Sequence, residues 1–260
     1  MSNKLASRLD VVVPSATLAI NAKAQAMKAQ GLDVISFGAG EPDFDTPVYI
    51  RDAAHKALES GKTRYTAVAG IPELRKAIAE ASTLERGVVA KPENVVVSVG
   101  AKSALFNFAL AVLEPGDEMV IPSPHWVSYP EQARLAGATP VFVPSTLESG
   151  WKMSPDDLAR ALGPKTKAVM LCSPCNPTGA AYTADALEAF AKVLRTHDCW
   201  IVCDEIYSKL VYDGFAQRSL LSVAPDLAPG EYDFVSEVTD AAGDTVARAT
   251  VTWKLGPVPA

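Results

Sequence analysis

Residues 168–205, AVMLCSPCNPTGAAYTADALEAFAKVLRTHDCWIVCDE, decide the fold. The segment opens on a short apolar run, 168–171, followed by a loop holding two prolines and a glycine. A helical pattern over 183–196 comes next, then a second apolar run, 200–203, ending in Asp204-Glu205. Strand, helix, strand, with both strands apolar throughout, indicates a parallel pair covered on both faces. Ligands in such sheets bind at the carboxyl ends of the strands. The loops after residues 172 and 203 are therefore where chemistry is expected.

The same rhythm extends upstream. Strands are expected at 94–99, 118–121 and 140–143, and helices at 102–113, 128–136 and 154–162. Earlier still, 17–30 reads as a helix capped by Thr17 and stopped by Gly31, and 34–37 as a short strand. Helices follow at 48–60 and at 72–83, the latter opening on a proline. After Pro229 the pattern changes: 232–239 and 245–255 alternate apolar and polar residues around a turn at 240–244, an antiparallel hairpin. The expected fold is a three-layer α/β/α arrangement on a mostly parallel sheet, with an N-terminal segment and a C-terminal β-hairpin.

Composition agrees with a globular chain. Of 260 residues, 48% are hydrophobic and 21% charged, which argues against disorder. A net charge of -6 disfavours a nucleic-acid surface. No run approaches the roughly 18 apolar residues of a membrane span, and MSNKLASRLD lacks the apolar core of a secretory signal. Four cysteines form no disulfide framework, so a reducing cytoplasm is expected. Cys172-x2-Cys175 and Cys199-x3-Cys203 suggest zinc by spacing, but three of the four lie in or beside apolar strands, where cysteine serves as a small hydrophobe. No metal is expected. The three histidines fit neither HExxH nor a triad spacing.

Four loops remain as candidates. Ser98-Val-Gly100-Ala-Lys102-Ser103 joins a strand to a helix, so its free amides and the helix dipole suit an anion; a plain βα turn reads equally from the residues. Ser173-Pro-Cys175-Asn176-Pro177-Thr178-Gly179 is stiff enough to aim the Asn176 side chain, or is stiff for stability alone. Asp204 ends a strand facing the ligand crevice, where a buried carboxylate needs a cation or hydrogen bonds; the alternative is a helix cap. Trp126, in His125-Trp126-Val-Ser-Tyr129-Pro130, offers a face for a planar ligand or simply packs.

Taken in order, FGAGEPDFDTP (37–47), TRYTAVAGIPELRKAIA (63–79), VVVSVGAKSALFNF (95–108), LEPGDEMVIPSPHWVSYPE (113–131), LCSPCNPTGAAY (171–182) and VCDEIYSKLVYDG (202–214) resemble the class I aminotransferases of the aspartate type, fold-type-I enzymes that use pyridoxal 5'-phosphate. The resemblance covers residues 5–228. It implies amino-group transfer between an amino acid and a 2-oxo acid. It also implies that Gly100, Ala101 and Lys102 cradle the cofactor phosphate, that Trp126 stacks on the ring, that Asn176 and Tyr207 hold its phenolic oxygen, and that Asp204 pairs with its nitrogen. Tyr65 corresponds to a tyrosine reaching the neighbouring subunit's phosphate, which implies a homodimer. Gly40, with Trp126 and Asn176, corresponds to residues at the substrate. The implied organisation is an N-terminal arm and small-domain segment (1–45), a partial cofactor-binding large domain (46–229) and an unrelated hairpin tail (230–260).

The resemblance stops near Pro229, ahead of the family's Schiff-base lysine and its carboxylate-gripping arginine. The chain is therefore expected to be a truncated member, inactive alone, with no catalytic lysine assigned; the alternative is a non-catalytic cofactor-binding or dimerisation module. Lys254 lies too far from Asp204 for the family spacing. The two strands that follow Asp204's strand in the family are also missing, which is expected to leave the ladder groups of 94–99 unpaired. The hairpin's polar face, with Arg248 and Lys254, argues against its standing in for them beside the sheet. EVTDAAGDTVARATVTWKLGP faintly resembles the closing hairpin of hotdog-fold thioesterases, too short a piece to build that fold.

Overall fold

The computed structural model describes residues 5–38, 40, 44–228, 233–239 and 245–252, the last two segments as strand backbone. The chain divides into two compact units, Met1–Thr63 and Arg64–Ala260. The first holds α1 (Ala16–Ala29) and α2 (Val48–Glu59). Ser15, not Thr17, caps α1: its hydroxyl accepts the Leu18 amide at 3.3 Å, and Thr17 already lies within the first turn. The strand expected at 34–37 does not form. Ile35 and Phe37 are 81% and 96% exposed, and without a neighbouring strand their apolar run has no ladder to join.

The second unit holds α3 (Pro72–Arg86), α4 (Ala101–Val112), β1 (Glu118–Ser123), α5 (Ser128–Leu135), β2 (Thr139–Pro144), α6 (Pro155–Ala161), β3 (Thr166–Cys172), α7 (Ala184–Leu194), β4 (Trp200–Asp204) and α8 (Leu220–Val223). The four strands form one sheet in the order β2-β1-β3-β4, every pair parallel. The side-chain alternation of a strand sorts the apolar residues into two cores. Val120, Val169, Leu171, Ile201 and Cys203 point to one face, where Leu158, Leu187, Phe190 and Leu194 of α6 and α7 cover them. Met119, Ile121, Ala168, Met170, Cys172 and Val202 point to the other, against Leu105 and Phe108 of α4 and Tyr129 and Ala133 of α5. The helices start where the sequence places stop and start signals. Thr183 accepts the Ala186 amide at the head of α7, Ser154 and Asp157 form a reciprocal capping box on α6, and Gly87 ends α3 with φ 68°.

Two expectations change here. Segment 94–99 is extended at Val95 (φ -112°, ψ 127°) but joins no sheet. The Val97 amide donates instead to the Ala69 carbonyl at 3.0 Å. Gly70, at φ +103°, approaches so closely that a Cβ there would sit 2.6 Å from Val97 Cγ2. The second change concerns the hairpin. β5 (Asp233–Thr239) and β6 (Thr245–Thr252) pair antiparallel, with Phe234 opposite Val251 and Val238 opposite Ala247. Contrary to the argument from its polar face, β6 lies alongside β4, and α4 packs against both hairpin strands, although no ladder joins the two sheets. β4 is the edge of the parallel sheet, and an unpaired edge offers an extended chain a place to lie. Lys254 and the turn 240–244 fall outside the described residues. Among the described residues no helix is long and apolar enough to cross a membrane.

Phe190 is fully buried and meets Tyr182 edge-on at 4.9 Å. Phe190→Ala is expected to lower unfolding free energy by about 3–5 kcal/mol in urea titrations. Lys76→Ala removes an exposed i,i+4 pair with Glu80 and should change it by less than about 0.5 kcal/mol.

Candidate functional site

Parallel strands bring their carboxyl ends to one edge, so the loops leaving β1, β3 and β4 share a side of the sheet. Asp204 is the last residue of β4 and is 4% exposed. The Tyr129 hydroxyl donates to its Oδ2 at 2.7 Å, and the Ile206 amide donates to Oδ1 at 3.1 Å. Burial raises the Asp204 pKa above the ordinary carboxylate range, with Glu205 adding to the rise and the two hydrogen bonds opposing it. Among the described residues no cation contacts Asp204. Glu205 turns instead to Arg86 on α3, 3.5 Å away in a buried pair.

Tyr129 sits on α5 and is fully buried, its hydroxyl pKa pushed well up by desolvation and then by Asp204. Its ring meets Trp126 edge-on, centroids 5.4 Å apart. Lys102 Nζ lies 5.1 Å from the Trp126 ring centroid, and the Gln132 side-chain amide donates to the Lys102 carbonyl at 3.0 Å. These contacts fasten the start of α4 to α5. Gly100 is the N-cap of α4, with φ 89° and no side-chain cap; the first turn carries no acid. The amides of Ser103 and Ala104 are taken by the Gly100 carbonyl, while those of Ala101 and Lys102 meet no acceptor among the described residues. A helix start of this kind suits an anion.

The loop after β3 is closed on itself. The Gly179 amide donates to the Cys175 carbonyl at 2.7 Å and the Cys175 amide to the Ala180 carbonyl at 2.8 Å, with Gly179 at φ 70°. Asn176 rides on this turn. Partial burial, followed by Asp204 and Cys172, raises the Tyr207 pKa, and the Asn176 side chain opposes the rise. Asp204, Trp126, Lys102, Asn176 and Tyr207 are thus linked through direct contacts or a shared field, with Gly100 and Ala101 at the adjoining helix start. Tyr65 is fully exposed and touches none of them. Gly40 belongs to the first unit, exposed and with open space where a Cβ would stand.

Sequence reasoning does not single out Tyr129 as a partner of Asp204, although its place three residues after Trp126 on the same helical start is the available signal. Cys172, expected as a small hydrophobe of its strand, lies in the same core as Tyr129, and Cys175 packs against that core. His125 stacks on Phe142, ring centroids 5.1 Å apart. Among the described residues no cluster of three or more His, Cys, Asp or Glu side chains could hold a metal ion. A buried carboxylate lacking a cation, an aromatic face and a helix start with free amides together fit a planar, protonated heterocycle bearing an anionic group. Pyridoxal phosphate is such a group.

The family model described as aminotransferase class I and II matches residues 32–237, past Pro229 and into the hairpin. The aspartate/prephenate aminotransferase of Thermus thermophilus is 49% identical over 210 residues, covering 81% of this chain and 54% of that protein. The aspartate aminotransferase of Geobacillus stearothermophilus is 48% identical over 253 residues, 97% of this chain and 63% of its own. The solved structure of the Thermus thermophilus aspartate aminotransferase with maleate superposes with a TM-score of 0.86 at 43% identity, covering 96% of this chain and 65% of that one. The chain therefore spans between about half and two-thirds of the length of these relatives.

A carboxylic acid whose pKa is raised by folding favours the folded state below its unfolded pKa and loses that advantage as pH rises through its folded pKa. For the cofactor-free chain, stability is therefore expected to fall as pH climbs from the ordinary carboxylate range through the raised Asp204 value. Asp204→Asn should flatten this segment of the profile. Tyr129→Phe, which removes a hydrogen bond favouring the charged form, should move it to higher pH. Urea midpoints at stepped pH read both.

Proposed function

The chain belongs to the class I and II aminotransferases, and from that premise we propose that it carries the cofactor cradle of an aspartate-type enzyme moving an amino group between an amino acid and a 2-oxo acid. The family is pyridoxal-phosphate dependent. When bound, the cofactor supplies a ring that withdraws electrons from the substrate α-carbon. The observation that carries the reading is Asp204, buried, hydrogen-bonded twice and, among the described residues, without a cation.

Each residue's part follows from its setting. A protonated ring nitrogen beside Asp204 would hold the carboxylate ionised, since an adjacent opposite charge offsets the cost of burial. Tyr129 fixes the direction of Oδ2 from the rigid side of α5. Trp126 presents its ring for stacking, while Lys102 adds positive charge above it. Asn176 and Tyr207 offer paired donors for a phenolic oxygen. Gly100, Ala101 and Lys102 offer backbone amides for the phosphate. Gly40, with Trp126 and Asn176, is assigned to the substrate by the family pattern. Tyr65 and the exposed Leu18, Ile20, Ile35 and Phe37 suit a homodimer, in which a second copy would cover them. A cytoplasmic enzyme of amino-acid metabolism is the setting that fits.

A second reading, a scaffold that binds the cofactor without turnover, is favoured by one observation. No lysine is among the described groups acting on Asp204 or Tyr207. Titrating the 260-residue chain with pyridoxal phosphate and following tryptophan fluorescence tests the cradle. Saturable quenching is expected, weakened about tenfold or more by Asp204→Ala, since a desolvated charge pair is worth a few kcal/mol. Equal affinity for both proteins sinks the cradle. Borohydride treatment of the complex then separates the two readings: a lysine carrying the reduced cofactor in the digest supports the enzyme, and quantitative release on dialysis supports the scaffold.

A further inference from the structure

Ser173, buried at the exit of β3, opens the loop that carries Asn176. Its amide donates to the Asp204 carbonyl at 3.2 Å, which extends the β3–β4 pairing by one step. Its hydroxyl oxygen accepts the Tyr182 amide at 3.1 Å, joining the loop's entrance to its exit. Its carbonyl accepts from the Gln217 side-chain amide at 3.0 Å, a bond that comes from the segment beyond β4. The turn in between is closed by its own backbone bonds, so it moves as one piece, and its place depends on how Ser173 is held. A further side-chain tie, Cys175 Sγ to the Pro124 carbonyl, is long at 3.7 Å and comes from a weak donor. Gln217 has a firm base. It lies between a turn at Asp213 and Gly214, with φ 54° and 72°, and α8, whose Leu220 and Leu221 are buried.

The orientation of the Gln217 amide is dictated by its neighbours. Nε2 also donates to the Arg218 carbonyl at 3.1 Å, so exchanging nitrogen and oxygen would set an acceptor against two carbonyls. The penalty falls on Oε1, which is buried and meets no donor among the described residues. A buried acceptor without a donor lowers stability. For stability alone, a methionine of similar size would serve as well; what glutamine adds is the donor at Ser173. We propose that Gln217 is a positioning residue, whose amide clamps the Ser173 carbonyl from beyond β4 and so sets where the turn, and with it Asn176, stands. What this means for a ligand rests on the cradle reading of Asn176, whereas the hold on the turn does not.

Hydrogen exchange of the cofactor-free 260-residue chain, read by mass spectrometry on peptides spanning 173–182, tests the hold. Gln217→Met removes the donors at nearly constant size. The turn amides of Cys175 and Gly179 should then exchange about fivefold faster, the weight of one hydrogen bond. Peptides from β3 and α7 should keep the parent's rates, and the urea midpoint should stay close to the parent's, because the orphaned acceptor leaves together with the donors. Gln217→Glu, of the same size but ionised at pH 8 and facing two carbonyls, should loosen the turn at least as much. Parent-like exchange of the turn in both variants overturns the proposal. So does acceleration spread evenly over β3 and α7, the mark of general destabilisation. Titration with pyridoxal phosphate, followed by tryptophan fluorescence, carries the effect to the ligand. Gln217→Met and Asn176→Ala should each weaken binding about threefold or more, and the double variant should bind no more weakly than Asn176→Ala alone. Losses that add show that Gln217 does not act through Asn176, which also overturns the proposal. A parent chain that shows no quenching sinks the cradle reading instead, and the exchange rates alone then decide whether Gln217 holds the turn.

Discussion

Asp204 places a carboxylate in a water-poor position and leaves it there with two hydrogen bonds and, among the described residues, no cation. A carboxylic acid so placed resists ionisation, and the fold tolerates it only because Tyr129 and the Ile206 amide share its oxygens. Much else is arranged around that bond. β4 must end at residue 204 for the side chain to reach the carboxyl edge, and β4 is held there by its parallel register with β3, Cys172 opposite Asp204. α5 must begin next to Trp126 for Tyr129 to arrive from the opposite side of the same core. The unfavourable position is the one that a ligand cation would relieve.

The two cores explain why the arrangement is stiff. Each central strand sends alternate residues to α6 and α7 on one face and to α4 and α5 on the other, so no strand can slip by one residue without exchanging the two sets. The functional loops grow directly from these strands. Asn176 sits four residues beyond Cys172, on a turn closed by two backbone hydrogen bonds, and Trp126 three beyond Ser123 at the end of β1. Position at the site is thus inherited from register in the sheet.

How much of this could be read in advance depended on how local the cause was. The strands at 118–123, 166–172 and 200–204 announce themselves through continuous apolar runs, and Thr183 and Pro72 mark helix starts by chemistry that acts within one turn. Asp204, Asn176 and Trp126 stand out in the sequence as candidates because strand-end loops are where a parallel sheet exposes its ligands, and because their motifs resemble a known family. The apolar runs at 34–37 and 94–99 misled, since a strand exists only when another lies beside it, and residue 97 finds its partner in Ala69. The place of the hairpin beside β4 was hidden for a related reason: which edge is open is a property of the whole sheet. Tyr129 was obscured because its partner, Asp204, is 75 residues away in the chain.

Arg86 determines which of two neighbouring acids is quenched. Asp204 and Glu205 are adjacent in the chain, yet the guanidinium on α3 engages only the second. The helix thereby works as a selector, committing its buried guanidinium to Glu205 and leaving the Asp204 side of the crevice to other partners. Among the described residues the crevice keeps its unmet demand for positive charge, which an exogenous cation would satisfy.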